Sequence, residues 1–141
     1  MTEILPKVIR IFVGKGDFKD QNQLAKKRKK QGWTVAKNDN SAEVDDALQD
    51  ARGAIVVANG AKAGVCMSGL IDYALHRGAR KVIVPLNNVR TSHEGEDPVS
   101  SRATALARGL HAFDRLEDPR ILVTPKHAWQ KAKQHVEDSQ G

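Results

Sequence analysis

Two short segments rich in small residues could hold a ligand's phosphate group through their backbone N–H groups. A helix that opens directly after a strand offers such groups, and a lysine adds positive charge. The first segment stands between an apolar run and a helical pattern and consists of Gly14, Lys15, Gly16 and Asp17. It is neither a Walker motif nor the full dinucleotide fingerprint. A tight turn with Asp17 as the helix cap is the competing interpretation.

The second segment follows a later apolar run and leads into the next helical pattern. Asn59 and Gly60 are predicted to form a loop, and Ser68 stands one turn into the following helix. Either the close approach of a ligand or a turn that needs positive φ explains the glycine. Asn87, in a later polar loop, is placed to close such a site. The start of this helix is favourable for an anion because of the helix dipole.

These residues need strands and helices to position them, and the hydrophobic pattern predicts five of each. The predicted strands are residues 8–13, 33–36, 54–58, 81–85 and 120–123. The predicted helices are residues 17–31, 41–51, 64–77, 101–110 and 125–138. Residues 86–100 are predicted to be a polar loop. The third and fourth strands are continuous apolar runs, which is typical of a parallel sheet with helices on both faces.

This alternation predicts a three-layer, doubly wound α/β fold. Because crossovers between parallel strands are right-handed, the simplest topology is the flavodoxin-like strand order 2-1-3-4-5. Ligands of such sheets bind at the carboxyl ends of the strands, so both glycine-bearing segments should lie at that edge.

Composition favours one α/β domain over residues 1–141, with a short polar tail from about residue 137. The single cysteine, Cys66, excludes an internal disulfide. Residues 1–10 carry charges within their apolar stretch, so we expect no signal peptide or membrane span and a cytoplasmic location. His111, His127 and His135 lack the spacing of metal ligands, so no metal site is predicted.

The net charge of +6 favours polyanionic partners such as phosphates or nucleic acid. Five consecutive basic residues, 26–30, fall late in the first predicted helix. Because five successive residues wrap around a helix, they cannot all face one groove. A solvated helix face is the main interpretation of this run, and weak, sequence-indifferent nucleic-acid binding is the alternative.

The order of the elements resembles that of a Toll/interleukin-1 receptor (TIR) domain over about residues 8–124. TIR domains often read Trp-Cys-x-x-Glu-Leu-x-x-Ala in the helix after the third strand, where Cys66, Leu70 and Ala74 match. The same helix is similar to that of the nucleoside deoxyribosyltransferase superfamily, which favours Glu-Leu-Gly-Tyr-Ala. Tyr73 and Ala74 match the end of that motif.

Both resemblances imply a catalytic glutamate that this chain lacks. The glutamate that TIR domains use to cleave NAD falls on Gly69, and the transferase nucleophile falls on Leu70. Breaking a glycosidic bond needs a carboxylate against the developing positive charge, and the nearest acid is Asp72. Either Asp72 substitutes for the glutamate, or it is solvated or salt-bridged near Arg77 or His76.

The small-residue segments and the two family resemblances lead to three hypotheses about function. The leading one is binding of a nucleotide-derived or other phosphorylated small molecule, without catalysis and without a required cofactor. The first alternative is a catalytically silent TIR-type module that self-associates, or docks another protein, through residues 37–46. The second alternative is an N-glycosidase or deoxyribosyltransferase-like enzyme that uses Asp72.

Overall fold

Six parallel strands form one sheet within residues 5–14, 16 and 18–140, which are the residues that the computed structural model describes. The strand order is β2-β1-β3-β4-β6, and the short β5 pairs with the carboxyl end of β3. The strands are β1 (Val8–Val13), β2 (Thr34–Val35), β3 (Ile55–Ala61), β4 (Lys81–Pro85), β5 (Val89–Arg90) and β6 (Ile121–Thr124).

The predicted doubly wound α/β fold is confirmed. Without β5, the observed order is the expected 2-1-3-4-5. The predicted number of five strands is wrong, because two residues of the expected polar loop pair in parallel with Gly60 and Ala61 and form β5. The prediction of a loop at Asn59 and Gly60 is also wrong. Both residues continue β3, and they pair with Phe12 and Val13 of β1.

The described part of the chain contains five α-helices, four of them between strands and one after the last strand. They are α1 (Lys19–Lys30), α2 (Ala42–Ala47), α3 (Ser68–His76), α4 (Pro98–Ala112) and α5 (Lys126–Gln140), with a π-helical turn, Ala63–Met67, directly before α3. The cap residue of α1 is Phe18. The second helix ends before the predicted residue 51, because Gln49 and Ala51 bond back three residues in tight turns instead of four.

The fourth helix begins three residues before its predicted start. Its cap is Asp97, whose side chain accepts hydrogen bonds from the Ser100 N–H at 3.3 Å and the Ser100 hydroxyl at 2.7 Å. Pro98 occupies the first turn, where its missing N–H costs nothing. The cap and the proline together explain why the helix starts inside the predicted loop.

Four of the helices share one face of the sheet. Strand register places two rows of side chains on this face, and all of them are buried: Ile9, Val56, Val82 and Ile121, then Ile11, Ala58, Val84 and Val123. They form a single core with residues of α2, α3, α4 and α5, such as Val44, Leu70, Leu106 and Trp129.

The opposite face is covered unequally. Among the described helices, α1 is the one that packs there: Ala25 is buried outside the main core, and Arg28 bonds to Asn59. The expectation that helices cover both faces is therefore met only in part.

Candidate functional site

Gly14 and Gly60 let the carboxyl ends of β1 and β3 pack backbone against backbone. Both have positive φ, +81° for Gly14 and +120° for Gly60. A Cβ on Gly60 would collide with the carbonyl oxygen of Val13, and one on Gly14 would collide with the carbonyl oxygen of Ala61. Both glycines are buried. Their conformation is therefore explained by contact between the two strands, without a ligand.

Gly16 lies in a different place, at a cleft beside β2. Its N–H donates to the Asn22 side-chain oxygen at 3.1 Å. The cleft has a volume of about 560 Å³, and its charged lining residues are three lysines and one acid: Lys26, Lys29, Lys37 and Glu43. We call it the β2 cleft. Lys15 and Asp17, the other two predicted residues of this segment, lie outside the described residues.

The remaining predicted ligand residues do not converge on one site. Asn59 is fully buried, where it accepts from the Arg28 side chain at 3.1 Å and donates to the Ala58 carbonyl at 3.1 Å. Ser68 is buried against Gly109 and donates to the Val65 carbonyl at 3.1 Å. Asn87 is exposed in a 3₁₀ turn after β4.

Asp72 is held by a cation that the sequence did not suggest. The Arg115 Nε donates to its carboxylate at 3.0 Å, whereas Arg77 donates to the Leu48 carbonyl at 3.3 Å. Of the alternatives for Asp72, a salt bridge is observed, but Arg115 forms it and not Arg77 or His76. Pairing with Arg115 leaves Asp72 less suited to stabilise positive charge on a substrate.

A second carboxylate, that of Asp39, lies against Gly69. A Cβ added at Gly69 would collide with the carboxylate of Asp39, which comes from the loop after β2. Burial raises the pKa of the Asp39 carboxyl above its ordinary value. Asp39 and Asp72 lie in one cleft of about 640 Å³, which we call the acidic cleft. Its lining residues are Asp39, Asn40, Asp45, Gly69, Asp72, Tyr73, His76 and Phe113.

Tyr73 closes one side of the acidic cleft. Its hydroxyl donates to the Asp45 carboxylate at 2.6 Å. This hydrogen bond raises the pKa of the Tyr73 hydroxyl above its ordinary value, because ionisation would remove the donated proton. Tyr73 is thus a proton donor already engaged with Asp45.

A third site carries the opposite charge. Two adjoining hollows of about 450 and 370 Å³ share Thr91, Ala105 and Arg108 and form one groove along α4. We call it the α4 groove. Its polar and charged lining residues are Lys62, Thr91, Ser92, His93, Ser100, Ser101, Thr104 and Arg108. None of the described residues that line it is acidic.

The sheet itself brings the two sides of this groove together. Ala61 pairs with Arg90 at the ends of β3 and β5. The next residue after each strand, Lys62 and Thr91, lines the groove. The groove therefore lies at the carboxyl edge of the sheet, as predicted for ligand sites of this fold.

A partly buried ion pair holds the Glu94 carboxylate in the loop beside the groove. The Arg102 side chain donates two hydrogen bonds to the Glu94 carboxylate, at 2.7 and 3.0 Å, and one to the Leu86 carbonyl at 3.3 Å. The Arg102 guanidinium lowers the pKa of Glu94 below its ordinary value. The pair thereby ties the 91–97 loop to α4 and to the end of β4.

Sequence reasoning missed the α4 side of the groove. Ser101, Thr104, Ala105 and Arg108 all line it. Their i, i+3, i+4, i+7 spacing puts them on one helix face. That spacing is visible within the predicted helix 101–110 as a polar and small-residue stripe with one arginine, but the sequence does not show which face of that helix lines a groove.

The basic run 26–30 does not form a single surface. Arg28 turns inward to Asn59, and its guanidinium lies 5.0 Å from the centre of the Trp33 ring. Lys26 and Lys29 line the β2 cleft. The predicted division of this run around the helix is consistent with these positions.

Within the described residues, no group of three or more His, Cys, Asp or Glu side chains is arranged to hold a metal ion. None of the helices described has the length and apolar character needed to cross a bilayer. The fold places the chain in the flavodoxin-like class of α/β proteins. Comparison of the chain with protein-family models, with curated proteins and with solved structures found no match.

Proposed function

We propose that this protein binds a phosphorylated small molecule of the nucleotide-derived type in the α4 groove, without catalysing a reaction there. The observation that carries the proposal is that Lys62 and Arg108 line the same groove, whose described lining residues include no carboxylate. An anion in this groove would meet two cations and no acidic lining residue, and the neighbouring Asp97 carboxylate is engaged by hydrogen bonds from Ser100.

The groove offers three kinds of contact to a phosphate. Arg108 can present two parallel N–H donors, and Lys62 adds a mobile point charge. Thr91, Ser92 and Thr104 bring hydroxyl groups. The helical segment that begins at Ala63 opens at the groove, and its first N–H groups carry the positive end of the helix dipole. Hollows of about 450 and 370 Å³ are of the size that small-molecule ligands occupy.

Calorimetric titration with AMP, ADP, NAD, ribose 5-phosphate, inorganic phosphate and adenosine tests the proposal. We expect the phosphorylated compounds to bind and adenosine to bind far more weakly. The change Arg108→Ala should weaken binding of the tightest compound by about 1–3 kcal/mol, which is the usual range for a charge-assisted contact. Lys62→Ala should have an effect of the same sign.

The matched control is Arg80→Ala, since Arg80 is exposed just before β4, at the amino end of the sheet. The Arg80→Ala variant should bind the tightest compound with the same affinity as the wild type. The double variant Lys26→Ala/Lys29→Ala tests the β2 cleft. If this variant loses binding while Arg108→Ala keeps it, the ligand lies beside Gly16 and the α4 groove is the wrong site.

The acidic cleft supports a second candidate function, cleavage of an N-glycosidic bond. The observation that favours it is the Asp39 carboxylate over Gly69, where the family resemblance places a glutamate side chain. The raised pKa of Asp39 would suit a proton donor to the leaving group. In this version of the hypothesis Asp39 replaces Asp72 as the reacting acid, because Arg115 already neutralises Asp72.

Measuring the release of nicotinamide from NAD, and of base from nucleosides, separates the two functions. We expect the wild-type protein to be no faster than a buffer control, because the leading proposal includes no chemistry. Multiple turnover that disappears in Asp39→Asn but survives in the surface control Asp50→Asn would contradict that expectation and establish the second candidate. Asp50 is exposed outside the acidic cleft.

A further inference from the structure

The face of the sheet opposite the main core keeps an apolar surface uncovered. Strand register aligns Val57, Ile83 and Leu122 in one row across β3, β4 and β6, and Ile55 and Pro85 share their face. Leu122 is 38 % exposed, and the other four residues are only half-buried. We call these five residues the open face. Every residue of the two rows on the other side of the sheet is at most 7 % exposed.

The open face has the width of one helix. Within the described residues, α1 is the helix on this side, and its bond to Asn59 places it at the carboxyl end of β3. The three strands β3, β4 and β6 lie beside it. Neighbouring strands are about 4.8 Å apart, and a helix with its side chains is about 10–12 Å across. Parallel sheets normally bury both faces under helices.

The charged strand residues on this face have one sign. Arg10 is aligned with Val57 in the same row, and Lys81 is aligned with Ile55 in the next. Both are exposed. The strand residues that share this face within the described chain include no acid. A partner that covers the open face would therefore gain from acidic side chains at its edges.

We propose that the open face docks an amphipathic helix of another protein, with an apolar stripe against Val57, Ile83 and Leu122 and acidic residues beside Arg10 and Lys81. A second copy of the chain fits less well, because it would bring its own Arg10, Lys81 and lysine-rich α1 to the same cations. The surface is separate from the α4 groove, which lies on the other side of the sheet, and from residues 37–46. The proposal does not depend on ligand binding.

Two synthetic helical peptides of about 18 residues test the proposal by fluorescence anisotropy. Both carry the same leucine stripe, flanked by glutamates in one peptide and by lysines in the other. The acidic peptide should bind at least about tenfold more tightly than the basic one, since only the acidic flanks meet opposite charge. Failure of both peptides to bind, or equal affinity for the two, would overturn the proposal.

Three variants locate the binding surface. Leu122→Asp, at a position exposed enough to tolerate a charge, should weaken the acidic peptide by about tenfold or more. Gln130→Asp, which adds the same charge on the exposed side of α5, should leave affinity unchanged. The double change Arg10→Glu/Lys81→Glu should reverse the preference between the peptides. If this reversal fails, or if Gln130→Asp weakens binding as much as Leu122→Asp, the peptide does not sit on the open face.

Sedimentation velocity at increasing concentration tests the competing occupant. The wild type should remain monomeric over the micromolar range. A concentration-dependent dimer that Leu122→Asp dissolves would overturn the proposal and assign the open face to a second copy of the chain.

Discussion

Replacing Gly60 with alanine is expected to destabilise the protein by about 2–5 kcal/mol. A side chain in the left-handed region costs roughly 1–2 kcal/mol, and forcing extra atoms into a packed interior costs about 1–3 kcal/mol more. Both apply here, because Gly60 has a φ of +120° and its added Cβ would collide with the Val13 carbonyl in the neighbouring strand. Since domains are stable by only about 5–15 kcal/mol, urea unfolding should show a large fall in the midpoint.

Gly53→Ala provides the matched control for this effect. Gly53 also has a positive φ, +74°, but nothing lies within 4 Å of the position of its Cβ. Its replacement should cost only the conformational strain, about 1–2 kcal/mol. The difference between the two variants measures the contact between β1 and β3. Equal losses would show that the strand ends relax around an added methyl group, and that the close backbone contact is not what requires glycine at residue 60.

The strand order could be predicted because it depends on signals that are local in sequence. Apolar runs such as residues 81–85 are bounded by turn residues, and right-handed crossovers leave few ways to connect them. Coverage of the two faces could not be predicted in this way. Val57 and Ile83 read as interior residues in an apolar run, yet they face the side that α1 covers only at one end. Hydrophobicity indicates that a residue should be buried, but not which molecule buries it.

The α4 groove lies at the carboxyl edge of the sheet, where the sequence predicts a ligand site, but none of the described residues predicted for that site lines it. Gly14 and Gly60 were interpreted through what glycine permits, namely positive φ and close approach. The structure shows that another strand makes the close approach. Arg108 and Thr104 fall within the predicted helix 101–110, but they were missed because their contribution depends on which face of that helix packs beside the ends of β3 and β5. Long-range contacts of this kind leave little trace in a single sequence.

Arg102 anchors the loop beside the α4 groove, so its removal should be the second most damaging change. Arg102→Ala should lower the free energy of unfolding by about 1–3 kcal/mol, between the cost of breaking an exposed ion pair and that of breaking a buried one. The Arg102 and Glu94 side chains are 10 % and 23 % exposed, so the carboxylate left behind is only partly rehydrated. The surface pair of Arg90 with Asp20, 25 % and 58 % exposed, is the matched control. Arg90→Ala should cost under about 1 kcal/mol.

The pH dependence of unfolding should identify the ion pair as the cause. Arg102 lowers the folded-state pKa of Glu94 below its value in the unfolded chain, so the unfolded state binds the proton more readily. The stabilisation is therefore complete above the ordinary glutamate pKa of about 4.3 and is lost as the pH falls through the lowered pKa. The difference in unfolding free energy between the wild type and Glu94→Gln, measured by urea unfolding, should be constant near neutral pH and shrink below about pH 4. A difference that does not change with pH would show that Arg102 stabilises the loop through packing and its bond to the Leu86 carbonyl, and not through the charge of Glu94.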